Sequence, residues 1–184
     1  MASEAIRYRT RRMLADALQE VMRGKQLDQI TIADIVKNCG VSRKAFYYHF
    51  EDVYDLTNWT LQEEWEKMND TSGADLMDSL RTLIDYFQKN RSFCLSIMNS
   101  SQNYRIEKLF VDQITDIIRQ RLEELESYKY ENAREISMRS ECCSIAIASM
   151  LRKWLTRELK CTESELVSYM KEIIAPLSDI CSTD

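Results

Sequence analysis

Apolar residues recur every three or four positions along almost the whole chain, and this spacing restricts the fold more than any other feature. Leu14, Leu18 and Val21 form one such stripe, and Leu80 and Ile84 begin another. Strand-like alternation never extends beyond a few residues. The chain also has only three glycines and one proline among 184 residues, whereas the turns of a sheet consume both. The sequence therefore predicts an all-α fold.

Capping and turn residues divide this helical chain. The first helix is predicted over 4–23, and Gly24 is expected to end it in the left-handed conformation. The clearest later loop is Thr71-Ser72-Gly73. Later helices are predicted near 53–69, 76–87, 93–98, 106–125, 131–159 and 166–177. We expect two domains, a three-helix domain over 1–52 and a helical bundle over 53–184.

Two short helices have the pattern of a helix-turn-helix. They are predicted over 32–38 and 43–49, on either side of the turn Cys39-Gly40-Val41, with Thr31 and Ser42 as their N-caps. Such a motif places its second helix in the major groove of DNA. The spacing therefore predicts a DNA-binding element near the N-terminus.

The second short helix is predicted to turn Phe46 and Phe50 inward, at positions i and i+4, and its polar residues outward. Arginine and lysine donate to guanine O6 and N7 or to phosphates, and tyrosine and histidine suit phosphate and thymine-methyl contacts. The candidate DNA-binding residues are Thr31, Lys37, Ser42, Arg43, Lys44, Ala45, Tyr47, Tyr48 and His49. An ordinary helical hairpin with a solvated basic face would have the same pattern, so spacing alone leaves both interpretations open.

Charge is unevenly distributed along the chain. Residues 1–50 contain nine Lys/Arg and five Asp/Glu, a net charge of +4, so residues 51–184 carry −9 of the total −5. A basic head directs a polyanion to one end of the molecule. The acidic remainder would suit a cationic ligand, although a charged exterior is usually only a solvated face. No run of about 18 apolar residues occurs, and residues 1–12 lack an apolar export signal, so we expect a cytoplasmic protein with no membrane partner.

Catalytic and metal-binding patterns are missing from the sequence. There is one histidine, and the six cysteines include no Cys-x-x-Cys pair, so we expect no metal and no cofactor. Adjacent Cys142 and Cys143 could sense oxidants or arsenicals, but consecutive helical positions point to different faces. Without a glycine-rich phosphate loop or a Gly-x-Ser-x-Gly motif, an enzyme is not expected.

The residues of the helix-turn-helix segment identify a protein family more specifically than their spacing does. Ile30-Thr31-Ile32-Ala33-Asp34-Ile35 and Gly40-Val41-Ser42-Arg43-Lys44-Ala45-Phe46-Tyr47-Tyr48-His49-Phe50 resemble the DNA-binding signature of the TetR/AcrR family of bacterial regulators. The Arg-rich start of the first helix and Asp55-Leu56 fall in register, so the likeness covers about the first 65 residues. A subgroup that resembles the dihydroxyacetone-kinase activator has a comparable Phe-Tyr-x-x-Phe stretch and a similar length.

The resemblance implies a homodimeric transcriptional regulator, usually a repressor, that reads a palindromic operator and responds to a small-molecule effector. Helices near 133–159 and 163–180 would pair between subunits. The candidates for that interface are Ser144, Ala146, Ala148, Ser149, Trp154 and Met170. Each of them could equally belong to the core of one chain.

The resemblance also implies an effector cavity. Its candidate lining residues are Trp59, Trp65, Tyr86, Phe87, Phe93, Met98, Tyr104 and Phe110. Aromatic and Met stripes at helical spacing are, however, more often plain core.

Two positions depart from the family pattern. Where the family commonly has a lysine that clamps a phosphate, this chain has Val53, and where it often has threonine, this chain has Ala45. Lys37, Lys44 and the N-terminal arginines are therefore expected to do more of the anchoring. The departures also favour an alternative, in which the chain is a transcriptional co-activator that works through a partner protein.

Overall fold

The computed structural model describes residues 2–69, 76–101, 103–123 and 133–179, and within these ranges all regular structure is helical. The α-helices of the described ranges are α1 (Ala2–Met22), α2 (Ile32–Cys39), α3 (Arg43–His49), α4 (Val53–Asn69), α5 (Leu76–Lys89), α6 (Arg91–Met98), α7 (Asn103–Glu123), α8 (Ala133–Leu155) and α9 (Glu163–Asp179). A 3-10 turn, Leu27–Gln29, lies between α1 and α2. The predicted all-α fold is confirmed. The predicted loop at 71–73 lies outside the described residues.

The bounds of α2, α3 and α4 agree with the prediction to within one residue. Thr31 and Ser42 cap α2 and α3, and α4 spans the predicted 53–69. The prediction for Gly24 is wrong, because its φ is not positive; α1 ends instead in a tight turn in which the Gly24 and Lys25 N–H groups both donate to the Val21 carbonyl at 3.2 Å.

The end of α8 also differs from the prediction. The helix ends at Leu155 and not near residue 159, because Arg157 adopts a left-handed backbone with φ 63°. The Leu159 N–H then donates to the Lys153 carbonyl at 2.9 Å, so the chain folds back over the helix end. Helix propensity alone, which favours arginine and leucine, does not reveal this stop.

The chain folds as two compact units. Unit 1 comprises residues 1–67 and 92–106, and unit 2 comprises 68–91 and 107–184. The sequence boundary after residue 52 thus falls inside unit 1. As a division of function, with DNA binding in 1–52 and ligand binding and dimerisation in 53–184, it stays a prediction.

Unit 1 is built on the contact of α1 with the helix-turn-helix and α4. The fully buried side chains on these elements include Leu14, Leu18, Ile35, Phe46 and Leu56. Polar contacts hold the solvent side of α1 to α4, because the Tyr8 hydroxyl donates to Glu63 Oε2 at 2.6 Å and Arg12 pairs with Glu64 at 3.2 Å. The first helix therefore fixes both the recognition motif and the helix that follows it.

The segment 92–106 is attached to the start of unit 1 by buried and exposed hydrogen bonds. The Leu27 N–H donates to the buried Ser96 Oγ at 2.9 Å. The Asp28 carboxylate accepts from the Tyr54 hydroxyl at 2.8 Å and from the Ser101 N–H at 2.9 Å. These two bonds lower the pKa of Asp28, with the Tyr54 hydroxyl as the larger cause. Residues far apart in sequence thus join the 3-10 turn, α4 and the end of α6.

Unit 2 packs α5, α8 and α9 against one another, and the apolar side of α7 is also buried. Its core includes Leu80, Leu83, Ile84, Phe87, Phe110, Ile114, Ile118, Ile147, Leu151, Leu166, Met170 and Ile174. The rings of Phe87 and Phe110 are 5.3 Å apart. None of the described helices is long and apolar enough to cross a bilayer.

Candidate nucleic-acid interface

The turn between α2 and α3 is set by Gly40. This residue caps the end of α2 with φ 70° and ψ 12°, a left-handed conformation that glycine adopts without steric cost. An added Cβ would meet no atom within 4 Å. Glycine is therefore favoured here for its backbone conformation and not for space.

The start of α2 is held by a capping box. Thr31 Oγ1 accepts from the Asp34 N–H at 3.3 Å and donates to Asp34 Oδ2 at 2.8 Å, while Asp34 Oδ2 accepts from the Thr31 N–H at 2.9 Å. Lys25 Nζ lies 2.8 Å from Asp34 Oδ1. Lys25 first, and then Thr31, hold the pKa of Asp34 well below its usual range. The Thr31 hydroxyl proton is thus already used within the protein.

The start of α3 leaves its cap partly available. Ser42 Oγ accepts from the Ala45 N–H at 3.1 Å, and Ser42 is exposed. Its hydroxyl proton is not used in that bond and can still be donated to a phosphate. Ala45, on the same first turn, is half-buried.

The outward side of α3 carries free positive charge beside two aromatic rings. Arg43 and Lys44 are exposed, and Tyr47 and Tyr48 expose 61% and 67% of their surface, while Phe46 is fully buried. Lys37 on α2 is also exposed. None of these three cations forms an ion pair with a residue that the structure describes. The predicted outward residues of α3 thus form one basic surface, and the predicted contact of Lys37 with DNA stays a prediction.

His49 is half-buried at the end of α3, with its ring 4.9 Å from that of Tyr48. Burial lowers the pKa of His49, and the positive charges of Arg11 and Arg7 lower it further. The imidazole is therefore neutral at pH 7 and offers one donor and one acceptor. Its predicted contact with DNA would be a hydrogen bond and not an ion pair.

The N-terminal arginines are only partly available for DNA. Arg12 bridges Glu64 and Asp16, and the Arg11 guanidinium lies 4.4 Å above the Trp59 ring and 5.2 Å from that of Phe50. The Arg7 guanidinium lies 5.7 Å over the ring of Tyr48, beside the basic surface. Arg9 is exposed. Two of the four arginines thus stabilise unit 1, and two remain near the surface.

The start of α4 is acidic. Asp52 Oδ1 accepts from the Asp55 N–H at 2.7 Å, and Asp55 Oδ2 accepts from the Glu51 N–H at 3.0 Å. Val53, at the position where the family often has a phosphate-binding lysine, is buried. One of these carboxylates already accepts a first-turn N–H of α4, and both would repel a phosphate. The missing clamp is therefore not replaced at this helix start.

Two family models match the chain. Residues 14–56 match the model for "Bacterial regulatory proteins, tetR family", and residues 74–176 match a "Transcriptional regulator C-terminal region" of the same family. The second match alone covers more than half of the chain. The chain belongs to the TetR family. Its members are transcriptional regulators, and the N-terminal match implies DNA binding through the helix-turn-helix.

The chain is also similar to individual regulators. It is 25% identical over 111 residues to the HTH-type dhaKLM operon transcriptional activator DhaS of Lactococcus lactis, a match that spans 59% of this chain and 58% of that relative. A solved structure of the dihydroxyacetone kinase operon activator DhaS superposes with a TM-score of 0.70 at 21% identity, over 94% of this chain and 96% of that one. A TetR regulator from Streptococcus agalactiae 2603V gives 0.66 at 16% identity, over 95% and 98%. The predicted family is confirmed, and membership of a DhaS-like subgroup stays a prediction.

The predicted effector-binding residues are divided between the two units. Trp59, Trp65, Phe93, Met98 and Tyr104 belong to unit 1, whereas Tyr86, Phe87 and Phe110 belong to unit 2. Tyr104 exposes 74% of its surface, while the Trp59 ring packs 5.7 Å from that of Phe50. Trp59 is thus core of the DNA-binding unit. As ligand contacts, these residues stay a prediction.

Each predicted dimer residue could belong either to the interface or to the core of one chain, and at two positions the structure favours the core. Ser144 and Met170 are completely buried within the single chain, and the Ser144 hydroxyl donates to the Ser140 carbonyl at 2.7 Å. They therefore belong to the core of unit 2. Ser149 is exposed, and Ala146, Ala148 and Trp154 are half-buried.

The adjacent cysteines lie on different faces of α8, as their spacing predicts. Cys142 is exposed, whereas Cys143 is half-buried and its Sγ donates to the Ile173 carbonyl at 3.5 Å. Burial raises the pKa of Cys143, so this thiol is less reactive than an ordinary one. In the described ranges, no three His, Cys, Asp or Glu side chains are grouped so that they could hold a metal ion.

Proposed function

We propose that the protein is a DNA-binding transcriptional regulator that acts as a homodimer on a palindromic operator. The observation that carries this proposal is the outward side of α3, where Arg43 and Lys44 lie exposed beside Tyr47 and Tyr48 and form no ion pair within the described part of the chain. The caps at both helix starts and the Gly40 turn hold this side in place. Arginine and lysine can then read guanine edges while the tyrosines contact phosphates.

Anchoring in this proposal differs from the common family arrangement. Val53 and the two acids at the start of α4 leave that helix without a phosphate contact, so Lys37, Ser42 and Arg7 take this part. Thr31 contributes by fixing α2, since its hydroxyl is bonded to Asp34. His49 contributes a neutral hydrogen bond.

The test uses an operator selected from random duplex DNA by the full-length protein. Arg43→Ala and Lys44→Ala should each cost about 1–3 kcal/mol of binding free energy if bases are read. The wild-type complex should also lose affinity steeply between about 50 and 200 mM salt. Lys89→Ala, which removes an exposed charge from α5, is the matched control and should change neither quantity.

Two outcomes would contradict this assignment. If Arg43→Ala and Lys44→Ala leave both affinity and salt slope unchanged in folded protein, α3 does not enter the groove. If no duplex is bound at low salt until a second protein is added, the chain works as a co-activator through that partner.

For the dimer, we propose a face that differs from most of the residues predicted from the sequence. Met138, Cys142, Ile145 and Ser149 follow one another at helical spacing along α8 and are all exposed, with Met138 and Ile145 showing 60% and 52% of their surface. Tyr169 on α9 is exposed as well. Exposed large apolar groups on one stripe favour contact with another protein surface. Ile145→Asp should shift the protein to monomers in light scattering, whereas Lys89→Asp, which places the same residue at an exposed position of α5, should leave it dimeric.

Control by a small effector is the finer part of the proposal. The bonds of Asp28 with Tyr54 and Ser101 connect α6 to the scaffold of the helix-turn-helix, so a ligand that displaces α6 would change the DNA-binding unit. The aromatic candidates named from the sequence remain the proposed ligand contacts. Repression stays the prediction from family resemblance, although the relative DhaS is named an activator. Expression of a reporter gene placed behind the selected operator, measured with and without the protein, distinguishes repression from activation.

A further inference from the structure

Unit 2 contains an open pocket of about 530 Å³ at the turn between α8 and α9. Its volume lies in the range of sites that hold small organic molecules. The end of α5, the start of α6 and the α8–α9 turn supply the lining. Three lining residues are positively charged, namely Arg91, Arg157 and Lys160, and no lining residue is acidic.

The rest of the lining is largely apolar. Leu155, Leu159 and the indole of Trp154 supply this surface. Trp154 Nε1 already donates to the Cys161 carbonyl at 3.2 Å, so the indole adds ring surface and no free donor. Burial, and then Glu165, raises the pKa of the lining Cys161 thiol, which is therefore neutral at pH 7. The pocket thus combines three cations with an apolar wall.

Neighbouring groups do not cancel this charge. Arg91 Nη2 donates to the Leu155 carbonyl at 2.5 Å, which holds the guanidinium at the end of α8 and leaves its other N–H groups without a partner among the described residues. Three carboxylates neighbour the lining, and each accepts from an uncharged group: Glu163 from Gln88 Nε2 at 2.9 Å, Glu158 from the Thr156 hydroxyl at 2.9 Å and Glu165 from the Thr162 N–H at 2.7 Å. The negative end of α8 and the positive start of α9 offset each other. Among the described residues no carboxylate forms an ion pair with Arg91, Arg157 or Lys160, so the lining itself stays positively charged.

Arg157 supplies independent support. Among the described residues it is the only one other than glycine with a positive φ, at 63°. Glycine is the usual residue at such a helix end, and arginine there is strained. Strain that persists at one residue points to a use for its side chain. Here that side chain lines the pocket.

We propose that this pocket binds a small organic anion, a carboxylate or phosphate monoester joined to an apolar group. The anionic group would lie among Arg91, Arg157 and Lys160, because charged hydrogen bonds to arginine suit planar or tetrahedral oxyanions. The apolar group would lie against Trp154 and Leu159. This charge is opposite to that of the cationic ligand that the acidic composition would suit. The pocket lies in unit 2 and shares no residue with the proposed DNA-binding surface, so its occupancy can be measured without DNA.

Calorimetric titration of the full-length protein tests the ligand class directly. Phenyl phosphate and benzoate are the anionic probes, and benzamide and benzylammonium are their neutral and cationic counterparts. We expect heat and a raised melting temperature with the anions only, and weaker binding as salt increases.

Variants locate the site. Arg157→Gly should weaken binding of the anionic probe by about tenfold or more, since it removes a charged hydrogen bond. The same change should raise the melting temperature of the free protein by about 2 °C because it relieves the left-handed arginine. Lys160→Gln should weaken binding without that stabilisation. Lys153→Gln removes an exposed charge near the same helix end, outside the lining, and should leave affinity unchanged.

Three results would overturn the proposal. One is equal binding of benzamide and benzoate, which would mean that the cations are not used. Another is binding of neither anion at millimolar concentration. The third is anion binding that survives both Arg157→Gly and Lys160→Gln, which would place the site elsewhere. None of these results bears on operator binding, so the two proposals fail separately.

Discussion

Within the described residues, two turns contain a left-handed residue after a helix, and they use it differently. After α2 the residue is Gly40, with φ 70°, and the next helix starts at Arg43 under a serine cap. After α8 it is Arg157, with φ 63°, and the next helix starts at Glu163 with a threonine capping box. At the first turn only the bend is needed. At the second, the chain accepts strain and retains a long charged side chain.

This difference indicates what each turn is for. The first turn fixes the direction of α3, whose own side chains are the functional groups. In the second turn the functional group sits on the left-handed residue itself, where it lines the pocket. Substitutions that add a side chain at Gly40 or replace the side chain of Arg157 test this interpretation.

The largest effect is expected at Gly40. Gly40→Val should destabilise unit 1 by at least about 2 kcal/mol, because a β-branched residue is poorly tolerated at positive φ, and operator affinity should fall as well. Gly40→Asn is the control, since asparagine visits this conformation readily and no atom lies near an added Cβ. Urea unfolding measures the difference. Equal stability of the valine and asparagine variants would show that the bend does not depend on glycine.

The two capping boxes should respond alike. Thr31→Ala and Thr162→Ala each remove a hydroxyl that accepts the N–H of the third helical residue, at 3.3 Å in both cases. Each change should cost about 1 kcal/mol of unfolding free energy. Hydrogen exchange of the amides in α2 and α9 reads the effects separately. A loss at only one box would mean that the other helix start is held by packing alone.

Arg157→Gly is expected to stabilise the free protein by about 0.5–1 kcal/mol, since relief of strain exceeds the added backbone entropy of glycine in the unfolded chain. Arg157→Ala keeps the left-handed residue without the charged group and should not stabilise. Thermal unfolding compares the two. If glycine destabilises the protein, the arginine side chain is itself a structural support, and the contrast with Gly40 disappears.

The smallest effect is expected on the stability of the fold at low pH. It concerns the Thr31–Asp34 capping box, whose carboxylate is paired with Lys25. Removal of Lys25 in Lys25→Met should raise the pKa of Asp34 toward its ordinary value of 3.8, since Lys25 is the largest cause of the lowering. A lowered carboxyl pKa stabilises the fold above the ordinary value and loses that stabilisation as pH falls through the lowered one. Wild type should therefore lose unfolding free energy as the pH falls below about 4, and the variant should lose less. Unfolding at pH 7 and pH 3 gives the comparison, and an unchanged pH dependence would contradict it.

Local chemistry explains which parts of the fold and site could be predicted. Thr31, Ser42 and Gly40 act through neighbours within a few residues, so the motif and its outward side were evident from the sequence. Gly24 shows the limit of that reasoning, because glycine permits a left-handed residue but does not require one. The bonds of Asp28 and the pocket at Arg91 join residues distant in sequence, with no periodic pattern to reveal them. The end of α8 just before Arg157 likewise depends on how the chain turns back to start α9.

The composition of unit 1 from 1–67 and 92–106 has a practical consequence for chimeric regulators. A designer who joins this protein's first fifty or so residues to a foreign sensor would cut away the groups that bond to Leu27 and Asp28. The buried Leu27 N–H would then need a new acceptor, because a buried donor left unpaired is costly. A graft that also transfers Tyr54, Ser96 and Ser101 should retain the geometry of the transplanted head.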